Sequence, residues 1–178
     1  MTDIERLKHT ARLLHAATLV AMVTLPIVIT VGFLLTPMTP AALKEALGTM
    51  AISPDATFPQ MAAAVGLQLI SPVILLLTLN EMRKLFSAYG KGDVLTDYCA
   101  LLIQRIGRGF VALSVLPFLV QPVQSVLLSL ANPPGQRALS IGITSNMVFF
   151  GIAGGLIIVI GWAMRAASDV AAENRAFI

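Results

Sequence analysis

The chain has 178 residues, of which 57% are hydrophobic and only 12% charged, with a formal net charge of +3 and a mean hydropathy of +0.85. A soluble domain carries about 25% charged residues to keep its surface wet, so this composition excludes a cytosolic enzyme. One cysteine, Cys99, excludes an internal disulfide, and the sequence holds no Cys or His cluster for zinc.

Asp, Glu, Lys and Arg are absent from residues 13–43, 56–80, 109–136 and 138–164. Each stretch exceeds the roughly 20 apolar residues that cross a bilayer core of about 30 Å. The pattern predicts an all-α polytopic membrane protein, one membrane domain over 1–178 built as a four-transmembrane-helix bundle. The first span is expected at Leu14 to Leu35, after a charged N-terminal segment. Its apolar run is longer than the 7 to 15 residues of a signal peptide and lacks a clear Ala-x-Ala cleavage site, so it is expected to be retained. His9 and His15 lie at its start and are read as interfacial. The external segment, Thr36 to Gln60, is expected to hold a short interfacial helix over Ala41 to Leu47, with Thr39 as its cap, Pro40 as its first residue and Gly48 ending it. Ser53 to Pro59, with two prolines and an Asp, reads as a loop.

The second span is expected at Met61 to Leu79 and continues as a helix through Glu81 to Tyr89. A turn at Tyr89-Gly90-Lys91-Gly92-Asp93 follows within the cytoplasmic loop, 81–108. Thr96 then caps a helix that begins at Asp97 and runs into the third span, Gly109 to Ala131. Asn132-Pro133-Pro134-Gly135 turns the chain sharply into the fourth span, Ile141 to Met164, whose helix extends on over Arg165 to Ala176. Ten of the twelve Lys and Arg fall on the N-terminal segment, the 81–108 loop and the C-terminal tail. By the positive-inside rule both termini are expected in the cytoplasm. Trp162 and Tyr98 fall near that interface, where amphipathic rings are favoured.

No ionisable group lies deep in a span, which argues against a pump or proton-coupled carrier. The strongest polar grouping lies in the outer half: Gln68 and Ser71 in span two, Gln121 and Gln124 in span three, Asn146 in span four. At 1.5 Å per residue Gln68 and Gln124 stand at about one depth. Two readings remain open, interhelical hydrogen bonding or a small outward-facing pocket for a neutral ligand or lipid headgroup. Pro26, Pro72, Pro117 and Pro122 predict kinks within three spans. Gly151 and Gly155 form a Gly-x-x-x-Gly pair that permits close helix approach, inside the bundle or between the copies of a homodimer. The basic residues are neither gathered on one domain nor interleaved with aromatics, so nucleic acid is not an expected direct partner. Gly90 and Gly92 lack the remainder of a nucleotide-binding fingerprint, and no catalytic, metal-ligating or cofactor motif is present.

The stretch Leu85-Phe86 through Gly90-Lys91-Gly92-Asp93-Val94-Leu95-Thr96 to Leu102-Ile103-Gln104-Arg105-Ile106-Gly107, with the tail Ala172-Glu173-Asn174-Arg175-Ala176-Phe177-Ile178, resembles the bacterial "domain of unknown function 2975" family. Phe177 and the Ala171-Ala172 pair depart from that family's pattern. The resemblance implies a small four-span inner-membrane protein without assigned chemistry, in a family whose members are often encoded beside a small helix-turn-helix regulator. On that basis the expected function is a non-enzymatic membrane partner of a cytoplasmic DNA-binding regulator, docking through Arg83, Lys84, Lys91, Asp93, Arg105, Arg108, Glu173 and Asn174. The alternative is a small channel, carrier or lipid-binding bundle using the Gln68 and Gln124 cluster.

Overall fold

A computed structural model of the chain describes residues 3–35, 37, 39–47, 52–133, 137 and 139–176. All regular structure among them is helical: α1 (Asp3–Leu35), α2 (Pro40–Leu47), α3 (Phe58–Gln68), α4 (Ile70–Lys91), α5 (Asp97–Ser129) and α6 (Ser145–Ala176). Four segments, α1, α3 with α4, α5 and α6, are long and apolar enough to cross a membrane.

Helix α1 runs unbroken from the charged N-terminal segment through Pro26. Its threonines turn their hydroxyls back onto its own carbonyls: Thr18 donates to Leu14 at 2.9 Å, Thr24 to Val20 at 2.9 Å and Thr30 to Pro26 at 2.7 Å. That is the cheapest way to satisfy a hydroxyl among apolar side chains. Helix α2 begins as the sequence predicts, with Thr39 Oγ1 accepting from the Ala42 N–H at 3.3 Å. Its predicted end at Gly48 lies outside the described residues. Helix α2 buries Leu43 with Ala56, Met61, Ala64 and Leu128.

The loop before α3 is shorter than the prolines suggest. Gln60 Oε1 accepts from the Thr57 N–H at 2.9 Å and Pro59 sits in the first turn, where a missing N–H costs nothing. The second predicted span is two helices that meet at Leu69. Pro72 has no N–H to offer the Gln68 carbonyl, and the Leu69 N–H is shared between Val65 O at 3.3 Å and Gly66 O at 3.2 Å, a local tightening of the turn. Helix α4 then continues to Lys91, two residues past its predicted end at Tyr89. It ends because Gly92 adopts φ +97°, the left-handed region that glycine enters freely. The Asp93 N–H reaches Ala88 O at 3.1 Å and the Gly92 N–H reaches Tyr89 O at 3.0 Å, the paired bonds of a Schellman closure.

Thr96 caps α5 as predicted, its Oγ1 accepting from the Cys99 N–H at 3.2 Å. The interfacial helix and the third span are one 33-residue helix with Pro117 and Pro122 inside it. Helix α6 starts at Ser145 rather than Ile141, because residues before it bond elsewhere. The Ser140 N–H donates to Ser125 Oγ at 2.9 Å, and Thr144 Oγ1 accepts from the Met147 N–H at 3.3 Å.

Packing follows a row: α1 lies on α4, α4 on α5, and α5 on α6, with α3 also against α5. Helix α1 makes no comparable contact with α5 or α6 among the described residues. Only 6% of its most apolar window is buried, against 22% for α5. Two cores lie toward opposite ends of α5. One gathers α2, α3 and the 52–57 loop around Leu128 of α5, where the Ser53 N–H also satisfies the Leu128 carbonyl at 3.0 Å. The other joins Leu85 and Ala88 of α4 to Cys99, Leu102, Ile103 and Ile106 of α5.

Candidate functional site

Gln68 and Gln124, placed at one depth by the sequence, do meet. Gln124 is 2% exposed, and its Nε2 donates to Ala64 O at 2.8 Å and to Gln68 Oε1 at 3.1 Å. A primary amide has two N–H donors, so both are consumed within the protein. Gln121 instead turns toward the segment before α6, its Oε1 3.6 Å from where a Cβ on Gly142 would stand. Ser71 is half-buried and Asn146 exposed, and neither is hydrogen-bonded to the glutamine pair among the described residues. The predicted five-residue cluster is therefore a two-residue joint between α3 and α5.

The glycine pair of α6 is also redistributed. A Cβ on Gly151 would come within 2.9 Å of Ser114 Oγ, whereas one on Gly155 would meet nothing within 4 Å. The close approach belongs to Gly154, where a Cβ would stand 2.8 Å from both Gly107 O and Val111 N of α5. Further along, a Cβ on Gly161 would stand 2.6 Å from Gln104 Cγ. Positions 147, 151, 154 and 161 face α5 at spacings of four, three and seven, the seam of left-handed packing rather than the strict four of Gly-x-x-x-Gly. Ser114 Oγ fixes the register by donating to Met147 O at 2.6 Å.

Most of the charged candidates collect where α1 meets α4. Arg83, Lys84, Lys91 and Asp93 line a cavity of about 270 Å³ together with His15, Ser87 and Tyr98. A second concavity of about 240 Å³ adjoins it and adds Arg12, Phe86 and Gly90. Arg83, Ser87 and Lys91 recur every four residues on α4, and Lys8, Arg12 and His15 recur at four and three on α1, so each set forms one helical face. Glycines give these side chains room: a Cβ on Gly90 would stand 3.7 Å from Arg12 Cγ, and one on Gly92 would stand 3.2 Å from Lys8 Nζ. His15 Nδ1 lies 3.1 Å from Arg83 O. A carbonyl only accepts, so Nδ1 carries the hydrogen and His15 ties α1 to α4. By sequence His15 reads as an interfacial residue alone, although its spacing from Arg12 and Lys8 marks the face it belongs to.

The remaining candidates separate. Glu81, on α4, takes Lys84 Nζ at 2.6 Å and Arg105 Nη1 at 3.5 Å. The Arg105 contact is Coulombic, since Glu81 Oε2 accepts no hydrogen bond. Arg108 is exposed on α5. Glu173 and Asn174 fall in the last turns of α6, but their side chains lie outside the described residues. Cys99 is fully buried, its thiol donating to Asp93 O at 3.0 Å, so it is no accessible nucleophile. Among the described residues no three His, Cys, Asp or Glu side chains gather as a metal site. What this end of the molecule offers is a basic concavity fit for holding negative charge. Comparison of the chain with family models, with curated proteins and with solved structures finds no match.

Proposed function

We propose that the protein is a multi-pass protein of the bacterial inner membrane, with both termini and the 81–108 segment in the cytoplasm. It acts without chemistry of its own, as the membrane partner of a cytoplasmic protein such as a small helix-turn-helix regulator. The observation that carries this reading is the gathering of Arg83, Lys84, Lys91, Arg105 and Arg108 at one end, with Glu81 as the sole carboxylate in ion-pair contact with them among the described residues. Excess positive charge at one end both fixes orientation and presents a face complementary to an acidic partner. The resemblance of the Leu85 to Gly107 stretch supports the kind of partner.

The glutamine pair supports a joint between helices rather than an outward-facing ligand pocket, because Gln124 has no N–H left to donate. Purification from membranes in mild detergent, beside the R105Q/R108Q variant, tests the proposal. A DNA-binding protein recovered with the wild type and lost with the variant is the expected result. No partner recovered, with both forms behaving alike, overturns it.

A further inference from the structure

Cations gather at the α1–α4 contact with no ion-paired counter-charge among the described residues. Lys8 and Arg12 come from α1, Arg83 and Lys91 from α4, and none of the four makes an ion pair among the described residues. Arg83 Nε is buried and donates to nothing. A buried donor without an acceptor is costly, and like charges brought together raise that cost. Asp93 lines the same cavity but reaches none of these groups as an ion pair. An oxyanion seated between the helices removes both penalties, since the guanidinium Nε–H and the lysine ammonium are charged donors to phosphate oxygens.

The depth of the cleft names the source of that anion. Immediately above Arg12 the exposed surface of α1 turns apolar, with Leu13, Leu14, Leu19 and Val20 all open outward. Helix α1 has α4 as its one extensive neighbour, so the mouth of the cleft opens onto the surface a bilayer would cover. A charged rim directly below an apolar wall is the level of lipid phosphates. We propose that the cleft between α1 and α4 holds the phosphate of an anionic phospholipid headgroup, with Arg83 and Lys91 as donors from α4 and Lys8 and Arg12 closing over it from α1. The bound lipid joins α1 to α4, its one extensive neighbour among the described residues.

The inference rests on the membrane reading above but not on the protein partner. The test is native mass spectrometry of the full chain in detergent, titrated with phosphatidylglycerol or with phosphatidylcholine. Phosphatidylglycerol is expected to be retained preferentially, and Arg83→Gln and Lys91→Gln are each expected to weaken it about fivefold, the worth of one cation at a lipid surface. Arg165→Gln, which removes an exposed charge from the same end, is expected to leave retention unchanged. Lys91 is exposed, so its variant carries the test should Arg83→Gln fail to fold. Equal retention of the two lipids, or an equal loss in the Arg165 and Lys91 variants, overturns the site. Displacement of phosphatidylglycerol by equimolar inorganic phosphate assigns the cleft to a soluble anion and overturns the lipid assignment. Protein that leaves the membrane pellet under alkaline carbonate defeats the membrane reading itself, which the lipid comparison does not touch.

Discussion

Gly154 and Gly155 are chain neighbours with opposite requirements. At Gly154 a methyl group would collide with the backbone of α5, so the two helices must separate and the seam from Met147 to Gly161 loosens with them. Gly154→Ala is expected to cost about 1–3 kcal/mol, the usual range for overpacking. Gly155→Ala places its methyl in open space and removes a flexible residue from a helix, so it is expected to be neutral or to stabilise by up to about 1 kcal/mol. Thermal melting of the two variants in one detergent checks both, and equal destabilisation would contradict the assignment of the seam. At the far end, a double-mutant cycle of Gln68→Leu and Gln124→Leu is expected to return a coupling of about 0.6–1.7 kcal/mol, as for hydrogen bonds between membrane helices. A coupling of zero would mean that the amide contact at 3.1 Å carries no energy.

Among the elements, the ends of helices were the most legible. Thr39 and Thr96 announce caps because a short hydroxyl side chain before a helical run has one obvious acceptor role, and both perform it. Thr96→Ala is accordingly expected to lower stability by about 1 kcal/mol, and Gly92→Ala, forced into φ +97°, by roughly 1–2 kcal/mol, both read from the melting midpoint. The Thr57 and Gln60 cap is masked in the sequence by two nearby prolines that read as a loop, although proline belongs in a first helical turn. The break at Leu69 was not legible for a different reason. Residues 61–79 carry no charge and are apolar on both sides of Leu69, and hydropathy has no means of telling a kinked helix from two abutting ones. Only the fate of the Gln68 carbonyl decides that. The candidate site was half legible: composition located the charges, but which of them face each other across α1 and α4 depends on helix rotation, which His15 fixes through the Arg83 carbonyl.

For the whole molecule, the row α1, α4, α5, α6 means that stability is graded along it. Helix α5 touches three other helices, while α1 leans on one. Backbone amides in the inner half of α5 are expected to exchange with solvent deuterium far more slowly than those at the same depth in α1, as measured in micelles. Similar protection in the two would point to a contact of α1 beyond α4. Orientation is tested separately by C-terminal fusions: green fluorescent protein is expected to fluoresce and alkaline phosphatase to stay inactive, the reverse result placing the basic end outside. The self-bonded threonines of α1 bear on how the protein is made. The helix leaves the ribosome before α4, its one extensive neighbour, whose last residue follows about 56 residues later, some 3–11 s at ordinary synthesis rates. Through that interval Thr18, Thr24 and Thr30 ask nothing of any other segment, their hydroxyls already spent on Leu14, Val20 and Pro26. Helix α1 thus has its hydroxyls satisfied before α4 exists, and His15 meets Arg83 only once α4 has been made.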